Sequence, residues 1–321
     1  MAGIRGRLNK ALNFNHALRR SAVAVCLVMM MLSGRADAAW LDAMRVDGPG
    51  NIDGELPEYY NNVMAVDHQG ILHVVYYQTN GPILVHKTWD GAAWSEPDYI
   101  PQSAYADNWS LLIDSQDRLI VMWRWNFSVV KVAIKDVEDW HQTIELAHDI
   151  YRASAYLDSR DRLFIAAVVR DQPYSQMTAV FIVEGEAVRE LPRLPGALDH
   201  YRQLSVVEDP GGQIWLIYGG TGIYPLLEES WSWGDLVALP VGYSWDVNGK
   251  FDTTGILHVA GSLAYLPDIP NPPFYVTFDG RAWSDFDYLD RHSYYQPHPS
   301  LDLNAGGEPR VVFCGNDGRI R

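Results

Sequence analysis

The chain has 321 residues, with 25 Lys and Arg against 40 Asp and Glu and a formal net charge of −15. A field of that sign repels nucleic acid and anionic membrane surfaces at long range. Its two cysteines, Cys26 and Cys314, make no metal-type Cys/His spacing, and there is no phosphate-cradling glycine loop or Gly-x-Ser-x-Gly nucleophile turn, so no metal or cofactor is expected.

In chain order, Met1 to Arg20 carries five basic residues and no acid, and the apolar run Ala22 to Leu32 follows. That run is too short to cross a bilayer, and Ala36-Asp37-Ala38 is a small-x-small cleavage pattern, so residues 1–38 read as a secretory signal peptide. Their removal leaves 19 basic against 39 acidic residues, a formal −20, with Cys314 alone and no intrachain disulfide. The expected product is secreted or periplasmic, has no membrane span after signal removal, and is a monomer.

The stretch Asp67 to Ile100 is the unit from which the remainder is built. Asp67-His-Gln-Gly70 is a tight turn. Ile71 to Tyr77 is a β-branched and aromatic run of strand length, and Ile83 to Trp89 is a second. Asp90-Gly91 marks a hairpin, Ala93 to Ile100 is a third strand, and Asn62 to Val66 supplies a fourth. The turn returns at Asp114, Asp158, Asp209, Asp252 and Asn304, at successive spacings of 47, 44, 51, 43 and 52 residues. The hairpin Trp89-Asp-Gly-Ala-Ala-Trp94 has a near twin in Phe278-Asp-Gly-Arg-Ala-Trp283, and no stretch after the leader reads as a helix.

A period of that length is one four-stranded propeller blade. The expected fold is therefore all-β: one domain, residues 39–321, forming a six-bladed β-propeller. The sixth unit stops at Gly318 to Arg321 without a last strand, while residues 40–46 resemble an outermost strand with no blade of their own. Pairing the two would close the ring, so that the N-terminal strand completes the last blade. A chain that has lost a seventh blade is the alternative.

The turns and their spacing resemble the bacterial neuraminidase-type repeat of secreted sialidase-like propellers. They differ from that superfamily's Asp box, Ser/Thr-x-Asp-x-Gly-x-Thr-Trp, in being one residue longer and lacking the Thr-Trp. The resemblance implies a fold and a carbohydrate ligand, not a reaction.

Six residues before each turn, at the start of the innermost strand, stand Asn61, Asn108, Arg152, Gln203, Asp246 and His298, polar every time. One residue before the turn the set is mostly apolar. A polar ring at one depth is either a ligand site or the ordinary satisfaction of strand-end backbone groups. Trp109, Tyr151, Tyr201, Trp245 and Tyr295 stand beside it, with Arg124 and Arg170 in neighbouring loops. Aromatic faces beside hydrogen-bonding groups suit sugars.

His298 is the expected general base, with Tyr295 as its substitute, and Arg152 would hold a carboxylate, supported by Arg124. Asp246 with Asp107 would serve glycoside hydrolysis, although Asp107 lies one residue off the ring with its side chain turned away. His73 and His258, early in the second strands, are read as packing residues. The expected function is recognition of a carbohydrate or other extracellular ligand, and if catalysis occurs, a lyase before a hydrolase. A lectin-like module or a protein-interaction scaffold is the alternative.

Overall fold

The computed structural model describes residues 54–55, 63–78, 82–126, 128–136, 139–147, 149–172, 175–185, 187–194, 204–219, 221–241, 244–263, 271–290, 299–304 and 306–313. Among them are six antiparallel sheets and no helix. The first sheet holds β1 (Gly54–Glu55), β2 (Met64–Val66), β3 (Leu72–Gln78), β4 (Ile83–Trp89) and β5 (Asp98–Tyr99). The second holds β6 (Ala106–Ile113), β7 (Leu119–Trp125), β8 (Val129–Lys135) and β9 (Trp140–Ala147). The third holds β10 (Ile150–Leu157), β11 (Leu163–Gln172), β12 (Ser175–Glu184) and β13 (Ala187–Glu190).

The fourth has β14 (Leu204–Glu208), β15 (Ile214–Tyr218), β16 (Gly222–Leu227), β17 (Ser232–Trp233) and β18 (Val237–Ala238). The fifth has β19 (Ser244–Phe251), β20 (Leu257–Leu263), β21 (Pro273–Phe278) and β22 (Asp287–Tyr288), and the sixth β23 (Ser300–Leu303) and β24 (Pro309–Val312). Each sheet is an up-and-down meander, and the first strands β2, β6, β10, β14, β19 and β23 pack each against the next in chain order.

Burial explains why the strands read as continuous apolar runs instead of alternating ones. Ile165, Ala167 and Val169 face a core shared with the second sheet, while Phe164, Ala166 and Val168 face one shared with the fourth. Two further cores lie between the first and second sheets and between the fourth and fifth. Successive side chains on a strand point to opposite faces, and here both faces are covered.

The six turns are built alike. The carboxylate or amide oxygen Oδ1 of Asp67, Asp114, Asp158, Asp209, Asp252 and Asn304 accepts the backbone N–H groups two and four residues on, at 2.7–3.0 Å. The fourth residue of each turn has φ between 60° and 88°, which favours glycine and tolerates Asp117 and Asp161. Those two aspartates have a use there: Asp117 Oδ1 accepts His68 N–H at 3.1 Å, and Asp161 Oδ1 accepts Ser115 N–H at 3.0 Å. Glu208 takes Ser159 N–H in the same way at 2.7 Å, so the turns of the first four sheets are tied in series.

The hairpin twins are also alike. Asp90 and Asp279 each accept two N–H groups of their own turn, and Trp94 and Trp283 fold back onto Trp89 and Phe278, with ring centroids 5.4 and 4.9 Å apart. The segments 40–46 and 318–321, expected to pair with one another, lie outside the described residues.

Candidate functional site

Every first strand runs toward its Asp turn, so its opening residues share the opposite end of the molecule with the closing residues of the second strand. There the ladders are interrupted at one depth. Register shifts between Asp107 and Ser110 in β6, between Ile150 and Arg152 in β10, and between Ser244 and Asp246 in β19. A bulge re-aims side chains and sharpens the local twist. Three in corresponding places leave this end irregular while the strands below remain regular.

At this end of the second and third sheets stand two separate arginine arrangements, linked through the backbone of Ile150. Arg124, at the end of β7, donates from Nε and Nη2 to the two oxygens of Asp107, both at 2.6 Å, and its Nη1 lies 3.5 Å from the Ile150 carbonyl oxygen. The next residue, Tyr151, carries the Arg170 guanidinium 4.9 Å from its ring centroid, and Arg170 N–H donates to the Asp149 carbonyl at 2.8 Å. Arg152 follows, half-buried. Asp107 is thus turned onto Arg124 and not away from the site.

Two ring-level residues are committed to the scaffold. Asn108 is 5% exposed, has φ 48°, and accepts Ala153 N–H through Oδ1 at 2.8 Å, joining the second sheet to the third. Trp109, expected to contact a ligand, is instead 3% exposed within the core between the first two sheets, and its indole N–H donates to the Val75 carbonyl at 3.2 Å. The bulge at 108–109 turns the indole inward, and strand numbering cannot reveal that.

Asp246 in the fifth sheet is 3% exposed and accepts Ser262 Oγ–H at 3.1 Å. The backbone of Trp245 lies in β19 at the bulge. Asn61, Tyr201, Gln203, Tyr295 and His298 lie outside the described residues. Of the sequence-derived set, then, Asn108, Arg124, Tyr151 and Arg152 lie at the same end of two neighbouring sheets, while Asp246 belongs to another sheet. The Asp107–Arg124 clamp and the bulges had no signal in the spacing of the turns. Two residues before Asp107, Tyr105 is 70% exposed and was missed because it precedes the strand by which the ring was counted.

At the turn end, His73 and His258 do more than pack. Their Nε2 atoms lie 3.2 and 3.5 Å from Oδ2 of Asp67 and Asp252, where the other sheets use Arg118, Arg162 or Trp215. His73 Nδ1 lies 3.0 Å from Nε2 of the stacked His86, and the file continues to Asp98, which Lys135 and the Trp140 indole N–H of the second sheet also contact. Burial holds the His86 imidazole below its ordinary value, against the opposing pull of Asp98. Burial pushes the Asp98 carboxyl up, but bonds from His86 and Lys135 outweigh it and bring it down to about 2. These side chains form an inter-sheet seam.

Among the described residues no group of three His, Cys, Asp or Glu side chains is placed to hold a metal ion, and no helix is long and apolar enough to cross a membrane. No protein-family model and no curated protein matches the chain. Solved structures do match. A polysaccharide lyase described as an ulvan lyase is 11% identical, with TM-score 0.56 over 82% of this chain and 79% of that one. The NanB sialidase of Streptococcus pneumoniae is 9% identical, with TM-score 0.56 over 85% and 67%. The SapL1 lectin in complex with α-methyl fucoside is 12% identical, with TM-score 0.53 over 80% and 89%. The fold is a β-propeller of the sialidase-like kind. Arg124, Asp107, Tyr151 and Arg170 lie at the end of the sheets opposite the Asp turns.

Proposed function

We propose that this chain is a secreted six-bladed propeller that binds an anionic carbohydrate at the mouth opposite the Asp turns and cleaves it as a polysaccharide lyase. The observation that carries the reading is the placing of arginines at this end: in a chain of net charge −15, Arg124, Arg152 and Arg170 all stand at the end of two adjacent sheets opposite the Asp turns, Arg170 stacked on Tyr151. Arginine forks suit carboxylate and sulfate, and aromatic faces suit the apolar side of a pyranose. The ulvan lyase, sialidase and fucose lectin among the similar folds support a carbohydrate ligand.

Elimination is favoured over hydrolysis because hydrolysis needs two opposed carboxylates. Asp107 is engaged in both oxygens by Arg124, and Asp246 is buried under Ser262 in another blade. In the elimination Arg152 binds the uronate carboxylate and acidifies the adjacent C–H. His298, or Tyr295, removes that proton, the C–O bond to the leaving sugar breaks to give a C=C double bond, and the leaving oxygen, which keeps the bond's electron pair, takes a proton from water. The same reading takes residues 1–38 as the signal, 39–321 as one monomeric domain in the periplasm or outside the cell, and residues 40–46 as the strand that closes the ring.

A lectin-like module is the second reading, favoured by the commitment of Asn108, Asp107 and Asp246 to contacts within the protein. The test is a polysaccharide panel scored for unsaturated-product absorbance and new reducing ends. His298→Ala and Arg152→Ala should each abolish turnover with the fold intact. Full activity in both, with loss in Asp246→Asn, would reverse the choice to hydrolysis. Glycan binding without turnover selects the lectin, and no glycan binding at all leaves the protein-interaction scaffold.

A further inference from the structure

The connection from the outer edge of the first blade to the inner strand of the second is unusually constrained for a loop at a binding face. Ser103 is fully buried: its Oγ donates to the Ile100 carbonyl at 2.7 Å and accepts Leu84 N–H at 2.9 Å. Ile100 N–H donates to the Leu84 carbonyl, Ala106 N–H to that of Ser103, and Tyr105 N–H to that of Pro82. Within this frame Gln102 and Tyr105 take φ of 57° and 59°. For a bulky residue that is a strained conformation, which glycine or asparagine would adopt at less cost. The strain brings Tyr105 no packing. Its side chain is 70% exposed and has no hydrogen-bond or ring partner among the described residues. Backbone strain held in place by surrounding structure, with an aromatic ring presented to solvent, is a feature of ligand-contact positions.

We infer that Tyr105 is a specificity-determining residue that stacks on a sugar unit of an oligosaccharide lying across the mouth. The inference rests on the carbohydrate reading above. Tyr105 belongs to the link between blades and not to an axial strand. Its place is therefore radially outside the Arg124–Asp107 pair, where the contacted unit is a neighbour of the one bound at the centre. The ring serves chain length, and a single sugar at the centre does not reach it.

The test is calorimetric titration with a tetrasaccharide of glucuronic acid and 3-sulfated rhamnose, and with methyl glucuronide as the single unit. Tyr105→Ala should weaken the tetrasaccharide about tenfold or more, the loss typical of a removed aromatic anchor, and the single unit by less than about twofold. Tyr105→Phe should retain both affinities, and Tyr105→Gly should lose the tetrasaccharide like the alanine variant while melting above wild type, since glycine relieves the strain. Unchanged tetrasaccharide affinity in Tyr105→Ala, or an equal loss for both ligands, overturns the inference and leaves the carbohydrate reading standing. Wild-type protein that binds neither these probes nor any glycan of the panel overturns both.

Discussion

The Asp turns predict an exchange of polarity that can be measured. In the second blade Asp114, its carboxylate wholly buried, accepts Gln116 and Arg118 N–H through Oδ1 and the Arg118 Nε–H through Oδ2 at 2.6 Å. In the sixth the same turn uses Asn304, whose Nδ2 donates to Glu308 Oε2 at 2.7 Å. Asp114→Asn keeps the Oδ1 acceptor but turns a donor toward the Arg118 donor. The arginine is 43% exposed and can swing into water, which limits the lost pair to about 1 kcal/mol. A buried amide N–H left unpaired adds about 1–3 kcal/mol, for a total of about 2–4 kcal/mol. Adding Arg118→Glu recreates the arrangement of the sixth blade and should recover about 1–2 kcal/mol of that, measured as the coupling in a double-mutant cycle. Urea unfolding followed by tryptophan fluorescence reads all four corners. Additivity within about 0.5 kcal/mol would refute the argument that the turn needs only complementary polarity at this pair.

Other outcomes follow from the seam and the mouth. Because the Asp98 carboxyl is held down to about 2 in the folded chain, the stability it contributes should be fully present above about pH 4 and lost as pH falls toward 2, and Asp98→Asn should flatten that part of a pH–melting curve. Trp109→Phe, which deletes the bond to the Val75 carbonyl, should cost about 1–3 kcal/mol on denaturation and leave glycan affinity unchanged; altered affinity at unchanged stability would restore it to the site. Arg124→Lys replaces a two-pronged clamp on Asp107 by a single contact, and should lower both thermal stability and binding of anionic oligosaccharides.

What the sequence by itself determined is whatever local chemistry enforces. An Asp at the head of a short turn must satisfy the N–H groups two and four residues on, so the six turns, the strands they join and the twin hairpins around Asp90 and Asp279 were legible from spacing alone. The all-β class followed, because a β-branched and aromatic run bounded by such turns has no other way to be buried. The direction of a side chain at a strand's opening was not legible. Counting six back from each turn assumes an unbroken pleat, and the bulges at Ser110, Arg152 and Asp246 break it. Tertiary structure alone therefore turned Trp109 into the core, spent Asn108 on Ala153 and clamped Arg124 with Asp107. Each outcome depends on what a neighbouring strand or blade offers: Asp107 and Arg124 meet when β6 pairs with β7, and residues 34 or 45 positions apart meet only after the sheets have packed.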